Sequence, residues 1–160
     1  TREIPGHWEG DLVLGKNRES AIGTLVERTT RFLIIVPLKK KDSTTVRKAF
    51  ESEFRKLPDN LKLSLTYDNG TEMAQHKTFT KNTKIKVYFA HPYSPWERPT
   101  NENTNGLIRD YFPKGTDFNL ISKKQLKEVQ NQLNERPRKT LEYESPLNTI
   151  SRLYMNQNFI

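Results

Sequence analysis

The sequence predicts an α/β fold: a mixed five-stranded sheet, three antiparallel strands and then two parallel ones, with helices on both faces. Three observations carry this. Three strand-like runs open the chain with only short polar links between them, and strands joined so tightly pair antiparallel. The hydrophobic period then changes to helical spacing. Beyond that point strand and helix alternate, the pattern of parallel strands with covering helices.

The elements follow in order. "HWEGDLVLG" (7–15) reads as the first strand and ends at a Lys16-Asn17 turn region. "AIGTLVERTT" (21–30) and "RFLIIVPLK" (31–39) read as the second and third. From Ser43 to Leu57, the residues Val46, Ala49, Phe50, Phe54 and Leu57 fall on one helical face. Asp42 or Ser43 can cap that helix and Pro58 ends it. "LKLSLTY" (61–67) is a fourth strand, a short helix spans about 72–80, and "IKVYFA" (85–90) is a fifth strand. A loop with three prolines, "HPYSPWERPT" (91–100), leads into a helix near 101–112. A helix over 122–136 turns Leu126, Val129 and Leu133 inward and stops at Pro137. Ser145-Pro146 opens a last helix.

A length of 160 residues suits one domain, with a core over about 6–120 and C-terminal helices over 121–160. The chain opens at Thr1 without a methionine and enters a strand within a few residues, as expected of a fragment of a longer protein. Cysteine is absent, which excludes a disulfide framework and a thiolate zinc site and fits a reducing cytosol. No run approaches the ~20 apolar residues of a membrane span. Lys and Arg outnumber Asp and Glu by 27 to 19, and the net charge of +8 points to a polyanionic partner.

Three carboxylates are candidates for one site. Asp11 lies inside the first strand among Leu12, Val13 and Leu14, where a charge is costly unless something binds it. Asp68 ends the fourth strand, and Asn69-Gly70 turns the chain sharply away. Glu102 sits on the helix after the fifth strand and shares one face with Asn105, Gly106 and Arg109, while Leu107, Ile108, Tyr111 and Phe112 point broadly the other way. If the first and fourth strands are neighbours, the aspartates meet, and the helix can bring Glu102 to them. Three hard oxygen donors suit Mg²⁺ or Mn²⁺, and two such ions can serve both the attacking and the leaving oxygen of a phosphodiester. Taken singly, each has a plainer reading: Asp68 as a turn residue, Glu102 as a solvated helix residue, Asp11 as a solvent-facing edge aspartate. Glu9, Glu72 and Glu97 compete for the same role.

The motifs "GHWEGDLV", "TYDNGTEMA" and "HPYSPWERPTNENTNGLIRDYFPKGTDF" resemble the catalytic domain of DDE transposases from bacterial insertion sequences, closest to the family numbered thirty. "LNERPRKTL" followed by "SPLNTI" is similar to that family's C-terminal segment, so the likeness runs from about Gly6 to Ile150. It implies a ribonuclease H-like fold and a catalytic, metal-binding triad of Asp11, Asp68 and Glu102. The spacer between the last two, residues 69–101, agrees with the family's spacing. Two positions depart from the family's habit: Glu97 stands where Gln is usual, and Pro99-Thr100 where Gly-Ser or similar is usual.

The resemblance further implies two Mg²⁺ or Mn²⁺ ions, cleavage at a transposon end, and attack of the freed 3′-hydroxyl on target DNA. The partners expected are transposon-end and target DNA, with self-association on paired ends. The location expected is the bacterial cytoplasm, at the nucleoid. Asn105, Arg109, Trp96, His91, Arg136, Arg138 and Lys139 are candidate DNA contacts, as is the run Lys39-Lys40-Lys41. His7 and Trp8 are expected to pack. No helix-turn-helix is visible, so end recognition is expected in an N-terminal region outside this chain. Two other functions fit the same residues: a hydrolase of this fold that cuts without joining, and a DNA-binding module with a spent site.

Overall fold

The computed structural model describes residues 4–68, 73–90 and 99–158. Strands β1 (His7–Leu14), β2 (Ala21–Glu27), β3 (Leu33–Pro37), β4 (Ser64–Tyr67) and β5 (Lys86–Phe89) form one sheet in the order β3-β2-β1-β4-β5. The first three pair antiparallel, and β4 and β5 add in parallel beyond β1. The expected mixed sheet is the observed one.

Helices α1 (Ser43–Arg55) and α2 (His76–Thr83) cover one face. There Val46, Phe50, Phe54 and Phe79 pack on Trp8, Leu25, Leu65 and Tyr67. Helices α3 (Pro99–Tyr111) and α4 (Lys123–Glu135) cover the other, where Ile108, Phe112, Leu126, Val129 and Leu133 pack on Val13, Ile22, Val26 and Leu33. Covered from both sides, β2 has every residue buried. Gly23 lets α1 approach it: a Cβ there would lie 2.6 Å from the Phe50 ring. The last helix, α5 (Pro146–Asn158), begins at Pro146 as expected.

The helix ends follow the capping chemistry in the sequence. Asp42 accepts from the Thr45 amide at 2.9 Å. Ser122 and Gln125 form a reciprocal capping box at the start of α4. Pro99, one of the departures from the family's habit, is the first residue of α3, a position where its fixed φ and missing N–H cost nothing.

Several boundaries differ from expectation, and β2 stops at Glu27 where 21–30 was expected. β4 starts at Ser64 because Asp59–Leu61 forms a short helical turn first. α2 lies further along, to Thr83, where Lys84 turns left-handed at φ 64° and ends it. β3 is shorter than 31–39 because Arg31 takes a left-handed φ of 63° in the preceding turn. Trp8 packs as expected, fully buried, donating to the Leu61 carbonyl at 2.7 Å. His7 is exposed, with Nδ1 2.6 Å from the Ser64 hydroxyl.

Candidate active site

β1 carries the first aspartate and sits at the centre of the sheet, between β2 and β4. Its pairing with β4 runs His7 with Ser64, Trp8 with Leu65 and Glu9 with Thr66. Continued two residues beyond its last pair, that register would bring Asp11 level with Asp68, just past the end of β4. Each of these aspartates is half-buried. The side of β1 that carries Glu9 and Asp11 is the side α3 covers, since side chains alternate along a strand.

Helix α3 is laid along β1 by three sets of polar contacts. Asn101 donates from its backbone to Glu9 Oε1 at 3.1 Å and from its side chain to the Glu9 carbonyl at 3.2 Å. Asn105 donates from Nδ2 to Asp11 Oδ2 at 3.0 Å and to Asn101 Oδ1, also at 3.0 Å. Arg109 donates to the Leu14 carbonyl at 2.8 Å. The other Asp11 oxygen, Oδ1, accepts the Leu12 amide at 2.8 Å. The Thr24 hydroxyl lies 3.4 Å from the Asn105 side-chain oxygen. Asp11 is thus oriented through both oxygens, by its own strand and by α3.

The inward face of α3 differs from the expected one. Ile108 and Phe112 are buried as predicted, but Asn101 and Thr104 are buried too. Asn105 points at the strand, not into an open cleft. Glu102 and Gly106 are exposed, and nothing lies within 4 Å of a Cβ added at Gly106. Glu102 lies one turn before Asn105, and residues so spaced have Cβ atoms about 5–6 Å apart. Among the described residues, no three of His, Cys, Asp and Glu are gathered closely enough to hold one ion.

Glu9 was legible only as a neighbour on Asp11's side of the strand. It is fully buried and works as a clamp. Arg28 Nε lies 3.2 Å from its Oε2, and the Asn101 amide binds its Oε1. Burial pushes the Glu9 carboxyl above its ordinary value, opposed by the Asn101 amide and the Arg28 guanidinium. From the same β2–β3 turn, Arg31 bonds the Thr100 hydroxyl in the first turn of α3. That turn is shaped by the buried Glu27 carboxylate, which accepts from Gly6, Thr29 and Thr30 amides at 2.8–3.0 Å.

The candidate DNA contacts fare differently. Arg136 donates to the Tyr111 hydroxyl at 2.8 Å and lies over its ring. Arg138 is half-buried, donates to the Leu133 carbonyl at 3.1 Å, and is held below its ordinary value by burial. Lys139 is exposed. Asn69, Gly70, Glu72, His91, Trp96 and Glu97 lie outside the described residues.

A mixed five-stranded sheet in the order β3-β2-β1-β4-β5, with three antiparallel strands, two added in parallel and helices on both faces, is the ribonuclease H-like fold. The crystal structure of the catalytic core domain of BIV integrase superposes on this chain with a TM-score of 0.72, at 16% identity, over 95% of this chain and 97% of that one. A simian T-cell lymphotropic virus intasome chain superposes with a TM-score of 0.65, at 19% identity, over 84% of this chain and 50% of its own length. At such identities the likeness concerns the fold. The sequence itself goes further: the profile of the integrase core domain matches residues 2–95. Transposase InsI for insertion sequence element IS30A, from Escherichia coli, is 53% identical over 151 residues, covering 94% of this chain. The chain belongs to the integrase core domain family, among relatives that are insertion-sequence transposases, and it spans 39% of the length of that Escherichia coli relative.

Proposed function

We propose that this chain is the catalytic core of a transposase, which cuts DNA at a transposon end and joins it to a target through Asp11, Asp68 and Glu102. One observation carries the reading: β1 and β4 pair in parallel, in a register that, continued two residues, would bring Asp11 level with Asp68. Asn105 binds Asp11 and Glu102 lies one turn before it on the same helix, which supports Glu102 as the third member.

The donor type, carboxylate oxygen without thiolate, suits Mg²⁺ or Mn²⁺; Asp11, Asp68 and Glu102 would hold it, and it would supply positive charge to a reacting phosphodiester. What the chain itself contributes is position. Asn105 and the Leu12 amide hold Asp11 in one orientation. The Arg28–Glu9–Asn101 clamp holds the first turn of α3 against β1. Two reactions follow. In the first, a water oxygen bonds to phosphorus and the 3′ oxygen leaves as a hydroxyl. In the second, that hydroxyl attacks a target phosphodiester, and a 3′ oxygen of the target strand leaves. Exposed Lys139 suits a backbone contact, whereas Asn105, Arg109 and Arg138 are engaged with the chain's own groups.

The test is cleavage of a transposon-end duplex with Mn²⁺, and joining of pre-cut ends to a plasmid. Asp68→Asn is expected to abolish both. Undiminished metal-dependent cutting by that variant would overturn the assignment. Cutting without joined product in the parent chain would identify a hydrolase instead.

A further inference from the structure

The free edge of the sheet carries a feature that the carboxylate site does not use. A cavity of about 740 Å³ wraps the outer edge of β3, with α1 on one flank and α4 on the other. Lys39, Lys56, Lys123, Lys124 and Lys127 line it, and Glu53 is its acidic lining residue among the described residues. Glu53 pairs with Lys56 at 3.3 Å. Lys39, Lys123, Lys124 and Lys127 are exposed. Lys123 and Lys124 occupy the first turn of α4, where the helix macrodipole disfavours cations, so helix stability does not account for them.

The edge is closed to a further strand. The Leu33 amide donates to Asn134 at 2.8 Å and the Ile35 amide to Gln130 at 3.0 Å. Pro37 has no N–H to offer. With its outward donors satisfied, β3 cannot template strand addition, and what the groove presents is positive charge.

Its position relates it to the aspartates. Asp11 pairs with Thr24, and Thr24 with Ile35. The C-terminal ends of β1 and β3 therefore share one rim of the sheet. Two strand spacings and four residues separate Asp11 from Lys39, roughly 16 Å in all. That is under one helical turn of duplex, about 34 Å.

We propose that this lysine-lined groove at the β3 edge binds the phosphodiester backbone of the same DNA duplex that the Asp11–Asp68 rim engages. The proposal rests on reading the chain as one that acts on DNA, but its test is separate, since it reads binding and not cutting. Binding of a labelled duplex of about 30 base pairs is followed by anisotropy between about 50 and 200 mM salt, with folding checked by circular dichroism. Each lysine that neutralises a phosphate contributes about 0.9 to the slope of log K against log salt. The triple variant Lys123→Gln, Lys124→Gln, Lys127→Gln is expected to lower that slope by about 2–3. The control triple Lys77→Gln, Lys81→Gln, Lys86→Gln removes equal charge on the α2–β5 side. A fall in the groove variant at least twice that in the control supports the proposal, and any smaller one overturns it. If the groove variant does not fold, lysine acetylation of the unaltered chain decides: duplex must protect Lys39, Lys123, Lys124 and Lys127 more than Lys77, Lys81 and Lys86. Protection that follows protein concentration without DNA would assign the groove to a second copy and overturn the proposal. Binding is read without divalent metal and cutting with it, so loss of cutting with the groove's salt slope intact, or loss of the slope with cutting intact, tells failure of the catalytic reading from failure of the groove.

Discussion

Asp11 is held through both oxygens, and the two restraints differ in kind. The Leu12 amide comes with the strand, whereas Asn105 comes from a helix far along the chain. Asn105→Ala removes only the second. Loss of a partner that orients a metal-ligating group typically costs 10–100-fold. We therefore expect strand cleavage by Asn105→Ala to fall about 10–100-fold with duplex affinity unchanged; activity within twofold of the parent would show that the contact is incidental. Glu9 offers a second residue-scale test. Its carboxyl titrates above its ordinary value of 4.5, so the folded chain holds that proton more tightly than the unfolded chain does. Its contribution to stability is therefore greatest at low pH and declines as pH rises from about 4.5 through the folded value, then stays level. Glu9→Gln keeps an acceptor for Asn101 and cannot titrate. Its stability relative to the parent should improve with pH across that window and then stay constant, as read from denaturant midpoints between about pH 4 and 8. A difference independent of pH would exclude the titration. Asp11 was legible from sequence because a charge inside an apolar strand needs a reason. The task of Glu9 was not, because it depends on Asn101 and Arg28, which only the folded chain brings to it.

At the scale of elements, α4 shows the same division. Its apolar face of Leu126, Val129 and Leu133 is readable from spacing alone, and the structure buries all three. Gln130 and Asn134 look like ordinary solvated amides in the sequence, yet both are buried against β3. Which strand edge lies beneath a helix is a tertiary fact, so no local pattern announces it. Asn134 serves the Leu33 amide and the Leu33 carbonyl at 2.8 Å each. Asn134→Ala leaves both groups buried and unpaired, which should cost about 2–3 kcal/mol in chemical denaturation. The capping box predicts a smaller effect: Ser122→Ala should cost about 1 kcal/mol by the same measurement. If the two variants proved equal, the account of the β3 edge would be wrong.

For the whole molecule, the order of strand and helix foretold the mixed sheet and its two covering layers, because period and linkage are local properties. The adjacency of β1 and β4, on which the site depends, was a condition in the sequence and is an observation in the structure. The net charge of +8 has its own consequence. Binding to unrelated duplexes should be similar, and affinity should fall steeply between about 50 and 200 mM salt. Tight, salt-resistant binding to one duplex would place sequence recognition within this chain. The β1–β4 pairing also bears on how the protein comes into being. Its two strands are parallel and separated by residues 15–63, so the pair cannot close as a local hairpin. A polypeptide emerging from the ribosome exposes Asp11 well before Asp68 exists, and Glu102 is made later still. The two aspartates of the proposed site can therefore meet only after β4 has been made, so the site is assembled by folding across the sheet and not by local sequence.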